Sequence, residues 1–243
     1  MPQASNISTD PQVRPSEAAH SSTPQASFVD VSDSVGLGTS GLASQTKGDR
    51  LLIADVNNDG RLDFLYLTQG GPVLAINTGA GFVESKDSGL AFECGKITPA
   101  FADLDGDKHP DLLVPQNGCL KLYHNDGKGH FVDITSKSGD LAGLRGNFTS
   151  VAICDFNHSG RPDLLIGALK SPNRYLKGSS AGRFVDASDS LGFYQRLFNT
   201  RALLAADVNK DGVLDLIMNN EGQEPAVLIG SISRVATTAL EAK

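Results

Sequence analysis

Residues 55–63 read DVNNDGRLD, and the phrase returns as DLDGDKHPD at 103–111, DFNHSGRPD at 155–163 and DVNKDGVLD at 207–215. The copies start 48, 52 and 52 residues apart. A second phrase keeps the same beat: FVDVSDSVGL from Phe28, FVESKDSGL from Phe82, FVDITSKSGDL from Phe131 and FVDASDSLGF from Phe184. Two independent markers with one period of about 50 residues make the chain an internal repeat, and the repeat decides the architecture.

Each repeat reads as strands. Ahead of the Asp-rich phrase stand LLIA, PAFA, VAIC and LLAA; after it come LDFLYL, PDLLVP, PDLLIG and LDLIMN. A third apolar run follows (PVLAIN, CLKLYH, NRYLKG, AVLIG), then a Gly-containing turn leads into the Phe-Val-Asp strand. Four short antiparallel strands per 50 residues describe the blade of an all-β β-propeller. The expected organisation is a Pro- and Ser-rich arm over 1–27, a four-blade propeller over 28–230, and a tail over 231–243 in which VATTALEAK forms a short helix. The residue before each Asp-rich phrase is small (Ala54, Ala102, Cys154, Ala206), as a crowded central axis requires. The array starts on a Phe-Val-Asp segment and ends on a third strand, so Phe28–Val31 is expected to complete the blade ended by Ala226–Gly230. A complete four-blade ring, a ring shared by a homodimer and a stretch of a longer array all fit this count.

The Asp-rich phrase carries the chemistry. Asp55, Asn57, Asp59 and Asp63 occupy positions 1, 3, 5 and 9 of a tight loop, Gly60 sits at the bend, and Arg61 offers its backbone carbonyl at position 7. Alternating oxygen donors in such a loop converge on one point, and a flexible all-oxygen shell suits Ca²⁺ better than Mg²⁺. An EF-hand would need a bidentate Glu at position 12, where this chain has Tyr66, Val114, Ile166 and Met218 inside strand patterns. The competing reading is a metal-free turn, since Asp and Asn cap turns unaided. Four evenly spaced copies favour calcium. The loops at Asp55 and Asp207 are complete, the second has Lys108 in place of the bend glycine, and the third, with Asn157 and Ser159, is expected to bind most weakly.

These loops, with N-x-G-x-G-x-F-V-D between them, resemble FG-GAP/VCBS repeats, the calcium-bearing propeller units of integrin α-subunits. The Phe-Val-Asp-x-Ser…Gly-Leu phrase resembles the branch that includes cartilage acidic protein and ASPIC/UnbV proteins. The resemblance spans about 28–230. It implies Ca²⁺ ligands at positions 1, 3, 5, 7 and 9 of every loop. Besides the first set these are Asp103, Asp105, Asp107, His109 and Asp111; Asp155, Asn157, Ser159, Arg161 and Asp163; and Asp207, Asn209, Asp211, Val213 and Asp215. Up to four ions are expected.

The remaining composition narrows the function. A formal charge of −7 argues against nucleic acid or an anionic membrane as partner, and the longest apolar run, Ala202–Ala206, is far short of a membrane span. Twelve of the 28 carboxylates lie in the four loops, so four Ca²⁺ ions would bring the charge from −7 to −7 + 8 = +1. Cys94, Cys119 and Cys154 form no C-x-x-C; Cys154 reads as a buried thiol, and a Cys94–Cys119 bridge is the lesser option. The sequons at Asn6 and Asn147 matter only along a glycosylating route. No catalytic motif appears, and His124 and His130 read as solvated residues flanking the Asn125–Gly129 turn. The expected function is a non-catalytic, calcium-binding protein-interaction or adhesion module, with calcium-dependent glycan binding as the alternative and an accessory domain of an extracellular enzyme behind both. Weak calcium sites fill outside cells or in a periplasm, so that setting is expected although no secretory leader is evident at the N-terminus.

Overall fold

The computed structural model describes residues 28–37, 42, 48–116 and 118–231. The first blade comprises β1 (Gly48–Ala54), β2 (Asp63–Thr68), β3 (Gly71–Asn77) and β4 (Phe82–Glu84). The second comprises β5 (Ala100–Ala102), β6 (Asp111–Gln116), β7 (Cys119–Asn125) and β8 (Phe131–Asp133). The third comprises β9 (Phe148–Cys154), β10 (Asp163–Ala168), β11 (Arg174–Gly178) and β12 (Phe184–Asp186). The fourth comprises β13 (Thr200–Ala206), β14 (Asp215–Asn220) and β15 (Ala226–Leu228). Within each sheet the strands pair antiparallel in chain order. These are propeller blades, as the repeat period requires.

Strand alternation sorts side chains into two faces with different neighbours. Leu65 and Leu74 of the first blade pack with Leu112, Val114 and Tyr123 of the second. Leu113 and Leu122 on the opposite face of the second pack with Leu164 and Ile166 of the third. Leu165 and Tyr175 of the third then pack with Leu203, Leu216 and Met218 of the fourth. Both faces of β6 and β10 are covered, which explains their unbroken apolar runs. The outermost faces are different. Leu51 and Ile53 are register equivalents of Val151 and Ile153, which pack against a preceding blade, yet they are half exposed. Leu204 and Val227, equivalents of Leu52 and Leu74, are exposed likewise.

The segment at Phe28 departs from expectation. Phe28–Val31 is not a strand, and the fourth sheet has three strands. The residues just after it have another use: the Val35 carbonyl accepts the Phe82 N–H at 2.8 Å. Ser88 accepts from Phe131 at 2.8 Å and Ser138 from Phe184 at 3.0 Å in the same manner. The end of each of the first three Phe-Val-Asp phrases therefore ties down the outer strand of the next blade, and residues 32–37 do this for the first blade. The approach is close enough to require glycine. At Gly89 (φ +72°) a Cβ would lie 2.1 Å from the Phe131 carbonyl oxygen, and at Gly139 (φ +71°) 2.4 Å from that of Phe184.

A one-turn helix, α1 (Asp140–Gly143), and short 3₁₀ turns at Thr135–Lys137 and Ser188–Leu191 follow the fourth strands. They are too short to leave a helical period in the sequence. The expected C-terminal helix and the arm over 1–27 lie outside the described residues. Cys94 and Cys119 are unbridged, and the Cys119 Sγ–H donates to the Gln116 carbonyl at 3.1 Å. Burial, then Asp163 and Asp155, pushes the Cys154 thiol up to about 12, in keeping with an inert structural cysteine. Ala54 and Ala102 pack into the cores formed with the following blade. Among the described residues no helix is long and apolar enough to cross a membrane.

Candidate metal centre

Each Asp-rich loop joins the first and second strands of its blade, and its conformation explains its letters. Positions 4 and 6 are left-handed in all four: Asn58 and Gly60, Gly106 and Lys108, His158 and Gly160, Lys210 and Gly212. In the second loop the glycine has moved from position 6 to position 4, leaving Lys108 at φ +74°. The bend is thus retained, at the cost of one non-glycine residue in the left-handed region in every copy.

The acidic side chains are arranged by backbone donors. The position-1 carboxylate accepts from the N–H of position 6 (Gly60 to Asp55 at 2.8 Å, Lys108 to Asp103 at 3.0 Å, Gly160 to Asp155 at 2.7 Å, Gly212 to Asp207 at 2.9 Å). Position 3 accepts from the N–H of position 5, as Asp107 gives to Asp105 at 3.1 Å, Ser159 to Asn157 at 2.9 Å and Asp211 to Asn209 at 3.0 Å. Position 5 accepts from position 7 in turn: Arg61 gives to Asp59, His109 to Asp107, Arg161 to Ser159 and Val213 to Asp211. These ladders fix the side chains of positions 1, 3 and 5 within the loop; among the described residues it is the second loop that brings three such carboxylates within 4.8 Å of one another.

Position 9 differs in kind. Asp63, Asp111, Asp163 and Asp215 are buried. In three blades one oxygen accepts the position-2 N–H (Val56 at 3.0 Å, Leu104 at 3.0 Å, Val208 at 2.9 Å). The other accepts from the end of the third strand in all four: Asn77 at 2.8 Å, Asn125 at 3.0 Å, Gly178 at 2.8 Å and Gly230 at 2.8 Å. This carboxylate fastens the loop to the sheet as well as facing the other donors. Burial raises Asp63 and Asp163 above the usual carboxylate range and Asp111 to about 6, against the pull of their backbone donors. A divalent cation would supply an opposite charge to such buried carboxylates.

The copies differ. In the second loop Asp103, Asp105 and Asp107 bring ligand atoms within 4.8 Å of one another, and so do Asp105, Asp111 and His124. His124 is therefore not the solvated turn residue the sequence suggests: it stands across the strand pair from Asp111, one register step beyond Leu112–Tyr123. In the third, the buried Tyr175 hydroxyl donates to the Asp163 carboxylate at 2.9 Å, on the oxygen that accepts the position-2 N–H in the other blades. In the first, Asn57 Nδ2 and the Arg61 guanidinium both donate to Asp59.

The turn of the following blade roofs the loop. Asn125 Nδ2 donates to the Val56 carbonyl at 2.9 Å, and Gly129 lies against Val56, Ile76 and Asn57. Gly182 lies against Asp105 and Leu122 in the same way. Asn125, His124 and Tyr175 were not legible as site residues singly; aligning the four third strands would have singled out His124, opposite Ile76, Lys177 and Ile229.

Consecutive blades carrying one acidic hairpin loop in constant register define a repeat β-propeller. The chain belongs to the FG-GAP-like repeat family, whose model matches residues 55–114, 103–166 and 155–218, together more than half of the sequence. It is 34% identical over 108 residues to cartilage acidic protein 1 of Mus musculus and 34% identical over 109 residues to that of Homo sapiens. Each match covers 43% of this chain and 16% of the relative, so the chain spans a small part of those proteins. Among solved structures it is similar to an Agrocybe aegerita lectin described as recognising non-reducing terminal N-acetylglucosamine (19% identity, 70% of this chain and 46% of that one, TM-score 0.45). It is also similar to a Photorhabdus luminescens Tc holotoxin pore (21% identity, 74% and 9% coverage, TM-score 0.49).

Proposed function

We propose that the chain is a calcium-binding propeller module that presents its loops to a protein ligand and carries out no catalysis. The observation behind this reading is the repeated donor set: side-chain oxygens at positions 1, 3 and 5, held by backbone N–H groups, beside a buried position-9 carboxylate, raised by burial in the first three blades. The residues present fit Ca²⁺, which the loops of the first and fourth blades would hold through oxygen alone. Bound calcium neutralises carboxylates that otherwise repel and stiffens the rim of the blades. Such sites would fill where calcium is near millimolar, which supports a working setting outside cells or in a periplasm. The experiment is a calcium titration of chelator-treated protein followed by melting temperature. A rise is expected, and no shift between chelator and millimolar calcium refutes the metal reading.

A glycan ligand has a specific observation in its favour. Tyr194, half exposed, lines a pocket of about 610 Å³ with Asp140, Arg145, Arg174 and Asp189, and Arg174 lies 5.0 Å from its ring centroid. An exposed ring among fork-like donors and carboxylates is the equipment sugar recognition uses. Saturable binding on a glycan array, lost in Tyr194→Ala, would put this reading first.

A further inference from the structure

We propose that the second blade's loop is a mixed nitrogen–oxygen site that takes a first-row transition ion, Zn²⁺ being the representative, in preference to Ca²⁺. The inference rests on the reading that these loops hold metal. Its observation is His124. The Nδ1 atom lies 3.0 Å from Asp105 Oδ2 and 3.2 Å from Asp111 Oδ1. The atom itself is shut off from solvent although the side chain as a whole is 32% exposed, and it makes no hydrogen bond; its contacts are ion-pair distances to these two carboxylates and, at 3.9 Å, to Asp107. A ring nitrogen and two carboxylate oxygens are thus gathered within 4.8 Å of one another. Asp103 and Asp107 complete the rim around the shared Asp105.

The other blades cannot do this. The position opposite the ninth loop residue is Ile76 in the first, Lys177 in the third and Ile229 in the fourth. Among the described residues no histidine is gathered with the carboxylates of those three loops, whose clustered donors are oxygens, which calcium favours. Imidazole nitrogen is a good ligand for zinc, nickel and copper and a poor one for calcium, so one histidine added to a carboxylate cluster changes which ion the cluster selects. A neutral imidazole also lowers the anionic repulsion that a fifth carboxylate would add.

The test uses the whole chain after chelation. Zn²⁺ is titrated calorimetrically in buffer already saturating in calcium, and Co²⁺ is added in parallel as a visible-absorbing reporter of nitrogen coordination. Wild-type protein is expected to take one tight equivalent of Zn²⁺ and to develop one Co²⁺ absorption band. His124→Ile, which installs the residue of the first and fourth blades, and His124→Gln, which keeps a polar donor, are both expected to lose the band. Each should weaken Zn²⁺ binding by more than about 100-fold, the most that loss of a mere outer-shell partner accounts for. Their melting temperatures in chelator, compared with wild type, confirm that they fold. No stoichiometric Zn²⁺ uptake by wild type, or undiminished uptake by folded His124→Ile, overturns the inference while leaving calcium binding intact. Zinc uptake that depends on His124 without any calcium-induced melting shift overturns the calcium reading and sustains this one.

Discussion

Removing the Asp63 carboxylate separates the two duties that position 9 performs. In Asp63→Ala the Val56 N–H and the Asn77 N–H lose their acceptor, from 3.0 and 2.8 Å, at a residue 1% exposed. A buried donor left unpaired costs about 1–3 kcal/mol, giving about 2–6 kcal/mol for two. Burial holds this carboxyl above its ordinary value and so already penalises its charge, which puts the expected loss toward the lower end of that range. Asp59→Ala is the control. Its side chain, 24% exposed on the loop surface, accepts from Arg61 and Asn57, groups that water can reach, so in chelator it should cost less than the position-9 change, on the order of 0.5 kcal/mol. At about 1 mM calcium both variants should lose a further 0.4–1.4 kcal/mol, roughly the linkage for one site of Kd ~0.1–1 mM. Urea unfolding with and without chelator reads all four values. Equal costs for the two variants in chelator would refute the structural role of position 9, and an unchanged gap between chelator and calcium would refute its role as ligand.

Lys108→Gly should stabilise the metal-free protein by about 0.5–1 kcal/mol, the left-handed penalty less the entropy of glycine, read as a small rise in melting temperature; a fall would mean that the Lys108 side chain matters more than its φ of +74°. Asn125→Ala leaves the Val56 and Pro110 carbonyls and the Gly127 N–H without their side-chain partner, so a loss of about 2–3 kcal/mol is expected from denaturant unfolding. The native Asp111 carboxyl titrates near 6 against an unfolded value near 3.8, so the metal-free native state holds the extra proton between them. Its stability in chelator should fall as pH rises from about 4 to about 6, by at most about 3 kcal/mol from this group, and Asp111→Asn should flatten that slope.

The period and the strand pattern were legible because blades repeat, and four aligned copies reveal what one copy hides. Donor positions were legible for the same reason, since Asp at positions 1 and 9 recurs whatever the neighbours do. Lys108 misled because the left-handed requirement falls on two positions, and only backbone angles show that Gly106 and Lys108 share it. The Phe28 segment misled through phase: the hydrogen bond from Phe82 to Val35 reveals that the phrase serves the next blade rather than the last one. His124 and Tyr175 lay beyond a linear reading because each meets its loop across the sheet, on strands paired 12 or more residues away.

Identical letters do not make identical sites when the surroundings differ. The first and fourth loops carry the same donors, yet Val56 is 1% exposed and Val208 50%. Position 2 of the first loop is sealed by Asn125 and Gly129 of the next blade, and Leu104 of the second is buried in the core shared with the third. The fourth loop has no described blade over it, and Leu204, Val227 and Ile229 on the same side lie open. A loop held by its neighbour loses less conformational entropy when an ion binds, so the first site should be tighter than the fourth despite equal donors. Linkage makes this reciprocal: whatever covers the fourth face tightens its calcium, and calcium there favours the covering by the same free energy. Replacing Asp59 and Asp211 by Asn in separate variants compares the two sites directly. The calcium isotherm should lose its tighter step in Asp59→Asn and its weaker step in Asp211→Asn, and the reverse order would show that roofing by a neighbouring blade does not set affinity.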